Sequence, residues 1–200
     1  KDDIFPNEKF IKNNNGKYPD LKELRNKYID IINEKKLLTG HLPYFTRTMF
    51  DNPTKVFTFF REPVSRTISF LYHCKNNREK YLNSKIEDIF NNEYAEASNL
   101  QVKLFSRGFK NPNKTQLEIA CDNLLKLDCF GITEDFENSI ILLEKTFGWN
   151  LGKMKKINIT KTKEPLSEQL INRIIEANQM DSKLYSFAKS LYHNNLTKIR

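Results

Sequence analysis

The residues best suited to do chemistry fall in one run, KVFTFFREPVSRTISFLYH at positions 55–73. Val56, Phe57, Thr58, Phe59 and Phe60 form an apolar stretch rich in aromatic and β-branched side chains. It shows no clean alternation, so it reads as a short strand covered on both faces, as in a parallel sheet. Pro63 stops a strand and suits the first turn of a helix. Val64, Ile68, Leu71 and Tyr72 then recur at helical spacing. Arg61 therefore ends a strand, and Ser65 and Ser69 fall one turn apart on the helix that follows. A helix that starts at the carboxyl end of a parallel strand offers unsatisfied N–H groups to an anion. A guanidinium adds a planar fork for phosphate, and hydroxyls add short hydrogen bonds. The set suits a phosphate monoester. It equally fits an arginine capping a sheet edge beside serines on a solvated helix face.

Two other places carry candidate chemistry. The run Leu37-Leu38-Thr39-Gly40-His41-Leu42-Pro43-Tyr44 reads as a short strand ending in a Gly-His pair, about 20 residues before Arg61. If this strand neighbours 56–60 in a parallel sheet, His41 and Arg61 emerge at the same edge. Imidazole titrates near neutral pH and can act as a base there; a histidine hydrogen-bonded at a strand end is the alternative. The most basic run, KMKKINITKTK at 153–163, is a solvated loop or a set of anion contacts.

The order Arg61, Pro63, Arg66, Ser69 within F-x-F-x-R-E-P-V-S-R-T-I-S-F-L-Y resembles the 3'-phosphate-binding segment of the carbohydrate sulfotransferases. The likeness is nearest to the heparan sulfate 2-O-sulfotransferase group and its bacterial relatives. It implies that Arg61 and Ser69 hold the 3'-phosphate of 3'-phosphoadenosine 5'-phosphosulfate, and that Arg66 is structural. The segment G-H-x-x-[YF] at Gly40 to Tyr44 resembles the position of the family's base, so His41 would take the proton of an acceptor hydroxyl. Lys161 and Thr162 match a Lys-Thr that closes over the cofactor, with Thr160 standing where the family has an arginine. Asn99 and Gln101 resemble an N-x-Q segment of bacterial relatives. FGITEDFENSIILLEKTFGW at 130–149 resembles a late strand-helix segment of the family, and 177–192 its closing helices.

The family pattern also has an upstream strand and a Lys-x-Gly-x-[ST]-like loop around the 5'-phosphosulfate. Lys114-Thr115 and Lys161-Thr162 lack its glycines, and 1–16 hold no candidate. The expected architecture is an α/β three-layer sandwich of the P-loop-kinase-like type with a central, mostly parallel sheet. It would form a single domain over 1–200, N-terminally incomplete and lacking the first strand and that loop. The implied function is sulfuryl transfer to a hydroxyl of a glycan or related acceptor, with no metal. The alternative is a non-catalytic module for acidic glycan or nucleic acid on the same fold. A nucleotide kinase would require a Walker loop.

Two hundred residues with a formal charge of +8 allow one domain with a real core and an anionic partner. With the resemblance, that partner is a carbohydrate acceptor and a nucleotide cofactor, and no nucleic acid is expected. No apolar run reaches the length of a membrane span, so any anchor would lie upstream of Lys1. Three scattered cysteines give neither a disulfide framework nor a zinc site. Helices are expected after the cap Asp20, over 86–90, 97–105 and 115–127, after Thr133 up to Gly148, and over 167–178 and 181–193. In the 115–127 helix Leu117, Ala120, Leu124 and Leu125 should face inward.

Overall fold

The computed structural model describes residues 4–6, 8–13, 20–50, 54–107, 111–152 and 165–197. They form a mostly helical α/β chain with short parallel strand pairs, divided into two compact units, Lys1–Lys55 and Val56–Arg200.

The first unit runs β1 (Ile4–Phe5), α1 (Glu8–Asn13), α2 (Leu21–Lys27), α3 (Ile29–Asn33) and β2 (Leu37–Leu38). Ile4 pairs with Leu37 and Phe5 with Leu38, in parallel. The sequence reading places no strand at Ile4–Phe5, because two residues before a proline carry no periodicity. Asp20 caps α2 as expected: its carboxylate accepts the Glu23 N–H at 2.8 Å, and Glu23 accepts the Asp20 N–H at 3.2 Å. The single helix expected here is broken at Tyr28, which leaves helical geometry. Its ring lies 5.3 Å from those of both Phe5 and Phe10. Phe5, Leu24 and Ile32 make the core. The strand expected over 37–44 stops at Leu38. Gly40 then takes φ +155°, and Pro43 leads into a 3-10 turn, Tyr44–Met49.

The second unit begins with β3 (Phe57–Phe60) and α4 (Pro63–Asn77), followed by α5 (Ile86–Asn92), α6 (Tyr94–Ala97), α7 (Leu100–Ser106) and α8 (Lys114–Leu125). It ends with β4 (Cys129–Ile132), α9 (Phe136–Phe147), α10 (Glu168–Ala177) and α11 (Gln179–Thr197). β3 and β4 are parallel, with Phe57 opposite Cys129 and Phe60 opposite Ile132. Both strands therefore end at one edge, where Arg61 and Thr133 follow. Cover on both faces holds for β4, buried at all four positions; in β3 only Phe60 is buried. Phe57 and Phe59 point the other way and pack on Phe147, Trp149 and Phe136, with ring centroids 5.5–5.8 Å apart. Gly131 makes this contact close: a Cβ there would lie 2.6 Å from both the Phe59 ring and Ser139.

The inner face of α4, with Leu71, Tyr72 and Cys74, packs on Ile89 and Phe90 of α5 and on Leu170 and Ile174 of α10. In α8, Ala120 and Leu124 are buried as expected, but Leu125 is 60% exposed. Leu125 directly follows Leu124, and helix geometry turns neighbouring side chains about 100° apart. Cys74, Cys121 and Cys129 are free thiols.

Candidate functional site

Arg61 stands just beyond β3, where the ladder with β4 has ended. Its main chain is held by one side chain. Gln101 accepts the Arg61 N–H on Oε1 at 3.0 Å and donates from Nε2 to the Arg61 carbonyl at 3.0 Å. This is the two-bond exchange a neighbouring strand would otherwise make. The Arg61 guanidinium is half-exposed and makes no hydrogen bond or ion pair among the described residues.

The start of α4 differs from the expectation of a free anion-binding helix end. Glu62 is the cap, and its carboxylate accepts the Val64 N–H at 3.0 Å and the Ser65 N–H at 2.7 Å. Burial alone would raise its pKa. The bonds from Ser65 and Val64, with the Arg61 charge, outweigh burial and hold the carboxyl below its usual range. The Glu62 N–H goes to Glu134 Oε1 at 3.0 Å, and Glu134 Oε2 accepts the Tyr185 hydroxyl at 2.9 Å. Burial, then Glu134, pushes the Tyr185 phenol up and keeps it protonated. Thr133, expected as a helix cap, instead donates to the Phe60 carbonyl at 3.1 Å. Among the described residues of this turn, the Arg61 guanidinium and the half-buried Ser69 on α4 remain open to an anion, while the exposed Ser65 also hydrogen-bonds to Glu62 through its side chain.

Arg66 has a different task. Its Nη2 donates to the Ala97 carbonyl at 2.8 Å and to Thr67 Oγ1 at 3.0 Å, and Nη1 reaches the Glu96 carbonyl at 3.4 Å. It thus satisfies the carbonyls that end α6. Burial pushes its pKa down, Asp181 opposes this, and the Arg61 charge adds to it. The structural role implied for Arg66 is the one it has.

The helix expected over 97–105 is interrupted at Ser98 and Asn99, and Asn99 adopts the left-handed region with φ 43°. The break lets two helix starts cap each other. Asn99 Oδ1 accepts the Met180 and Asp181 N–H groups of α11, both at 3.0 Å. Asp181 returns the favour to α7, accepting the Gln101 N–H at 3.0 Å and the Val102 N–H at 2.8 Å. Asn178 accepts the Asn99 N–H at 3.0 Å and donates to Thr67 Oγ1 at 3.2 Å, which ties α4 into the same network. Asp181 is fully buried, which pushes its carboxyl up against the opposing pull of those two N–H bonds and Arg66. Lys103, also buried, donates to the Ala95 carbonyl at 2.7 Å and to Ser98 Oγ at 3.1 Å, and burial pushes its pKa down.

Arg61 and Ser69 thus belong to one strand-helix element. His41 lies in the other unit, exposed in the bend after β2. β2 pairs with β1 and β3 with β4, so the strands preceding His41 and Arg61 are not ladder neighbours among the described residues. The condition on which a shared sheet edge was expected, that these two strands pair, is not met among the described residues. Lys161 and Thr162 lie outside the described residues. Gln101, Asp181, Asn178 and Glu62 were not singled out for the site by sequence reasoning, apart from Gln101 in the N-x-Q likeness. The usable signal was polar residues at helix starts, Asn99-x-Gln101 and Asn178-x-x-Asp181.

No family model matches the chain. It is similar to human heparan-sulfate 6-O-sulfotransferase 2, 36% identical over 85 residues, which are 42% of this chain and 14% of that protein. The mouse protein of that name gives the same figures, and the chicken one is 35% identical over 82 residues, 40% of this chain and 20% of its own. The aligned stretch is therefore under half of this chain and at most a fifth of each relative. This partial homology supports a carbohydrate sulfotransferase family. The relatives carry the 6-O name, and the 2-O group suggested by the motif is not among them.

Proposed function

We propose that this chain is part of a sulfotransferase that moves a sulfuryl group from 3'-phosphoadenosine 5'-phosphosulfate to a glycan hydroxyl, on a single domain of the P-loop-kinase-like sandwich type. The observation that carries the reading is Arg61: a guanidinium with no hydrogen bond or ion pair among the described residues, on a backbone clamped at the carboxyl edge of a parallel strand pair. The partial identity to heparan-sulfate sulfotransferases supports the same class. Arg61 binds the 3'-phosphate through its planar fork, and Ser69 adds a hydroxyl from one side of α4. The residues fit such a group, with one difference from the usual helix-end site: Glu62 already fills the first N–H groups of α4, so charge and hydroxyls do the binding. The cofactor supplies the activated sulfuryl group, with the nucleotide as its leaving group. His41 takes the proton of the acceptor hydroxyl, and Lys161 and Thr162 cover the nucleotide. The +8 charge of the chain suits an anionic sugar polymer.

Thermal unfolding with adenosine 3',5'-bisphosphate against ADP tests this. At about 100 times its Kd a ligand adds roughly 2.7 kcal/mol, a rise of about 5–10 °C for a chain of this size. The expected result is a rise for the 3'-phosphorylated nucleotide that Arg61→Ala removes. Equal shifts for both nucleotides, or none, sink the proposal.

A further inference from the structure

We infer that Gln101 is a positioning residue for Arg61: its carboxamide sets the direction in which the guanidinium leaves the strand, and so the affinity for a 3'-phosphate. This rests on the reading of Arg61 given above. A carboxamide offers an acceptor and a donor side by side in one plane. Here both are used on the N–H and carbonyl of a single residue, each at 3.0 Å. Without this clamp those two groups would need water or another partner. What a fixed side chain adds over water is direction. With both main-chain groups held, the Cα–Cβ vector of Arg61 is set without engaging the guanidinium.

Gln101 is itself fixed. It is 9% exposed, and its N–H is bonded to the fully buried Asp181. Asp181 belongs to the exchange of caps between α7 and α11, and Asn178 connects that exchange to Thr67 on α4. The helix that follows Arg61 and the side chain that clamps it are thus referenced to one buried network. Arg66, by contrast, is held through its guanidinium, whose two Nη groups are spent on protein acceptors and whose Nε is buried. The second arginine shows what holding by the head group would have cost the first.

The test is Gln101→Met, which keeps length and removes both bonds, with affinities for adenosine 3',5'-bisphosphate and ADP measured by calorimetry. The wild-type chain should prefer the bisphosphate. Gln101→Met should lose about tenfold on the bisphosphate, the worth of one charge-assisted hydrogen bond, and less than about twofold on ADP. Gln101→Glu keeps the acceptor for the Arg61 N–H but sets a carboxylate against the Arg61 carbonyl, and should lose affinity in the same selective way. A preference equal to wild type in both variants overturns the positioning role and leaves the nucleotide reading standing. Equal losses on both ligands, or failure of both variants to fold, overturn it as well, since the clamp would then be structural. A wild-type chain without preference for the bisphosphate overturns the nucleotide reading and this inference with it.

Discussion

Replacing Asp181 with alanine removes the acceptor for the Gln101 and Val102 N–H groups in the first turn of α7. Those bonds are 3.0 and 2.8 Å long and the carboxylate is fully buried. A hydrogen bond to a charged group contributes about 1.5–3 kcal/mol, so two amount to roughly 3–6. Arg66 and Lys103 also lose the negative charge that opposes their burial. Against this, the cost of burying Asp181 itself is recovered, and that cost is large enough to push its pKa up. The balance is a loss of about 3 kcal/mol, a substantial part of the roughly 5–15 kcal/mol of an ordinary domain. Urea unfolding followed by helical circular dichroism reads it directly, provided the slope with denaturant stays at the wild-type value. Asp181→Asn keeps one oxygen acceptor and turns an NH2 group towards the other N–H, so it should lie between wild type and alanine. A loss below about 1 kcal/mol for the alanine variant would refute the account of α7 and α11 as mutually capped helices.

Glu93 supports a pH prediction. It accepts from Tyr81 at 2.6 Å and pairs with Lys80 at 2.9 Å and Arg78 at 2.8 Å. Burial would raise its pKa, but these partners hold it at about 2 against an ordinary 4.5. The unfolded chain binds the proton first, so this stabilisation is complete above about pH 4.5 and is lost as the pH falls through about 2. With Arg78 and Lys80 open to water, its size is about 1–2 kcal/mol. Glu93→Gln should flatten the difference in stability between pH 5 and pH 2 by that amount, and an unchanged slope would rule the assignment out. For chemistry, His41→Ala should lower turnover by roughly 10²–10⁴ while leaving nucleotide affinity intact, as befits a base; an unaltered rate excludes His41 from that role.

Local pattern made much of this chain legible. The β3-to-α4 turn followed from Pro63 after an aromatic run, and β4 and α9 from apolar spacing. The errors share a cause. Tyr28 and Asn99 leave the helix for tertiary reasons, one to seat its ring on Phe5 and Phe10, the other to cap α11. Neither contact is visible in local propensity. In the sequence the run 37–44 is a candidate neighbour for the strand that ends at Arg61, whereas β3 pairs with residues some 70 positions later. Pairing partners depend on topology, which short strands do not encode. The clamp on Arg61 was out of reach for the same reason: Gln101 is 40 residues away in sequence, and its meaning comes from the residue it meets.

The run Arg61-Glu62-Pro63-Val64-Ser65-Arg66 divides its charges between support and binding. Glu62 neutralises the start of α4 from within, which fixes the turn after β3 whether or not a ligand is present. Arg66 carries the end of α6 and so places the Ser98–Asn99 break beside the start of α11. Only Arg61 keeps its head group out of this framework. On the proposed reading a phosphate arriving here meets a helix whose first N–H groups are already occupied. It gains little from the helix end and depends on the guanidinium. The internal cap therefore does more than stabilise the helix: it concentrates recognition in one side chain, whose direction is set from behind by Gln101.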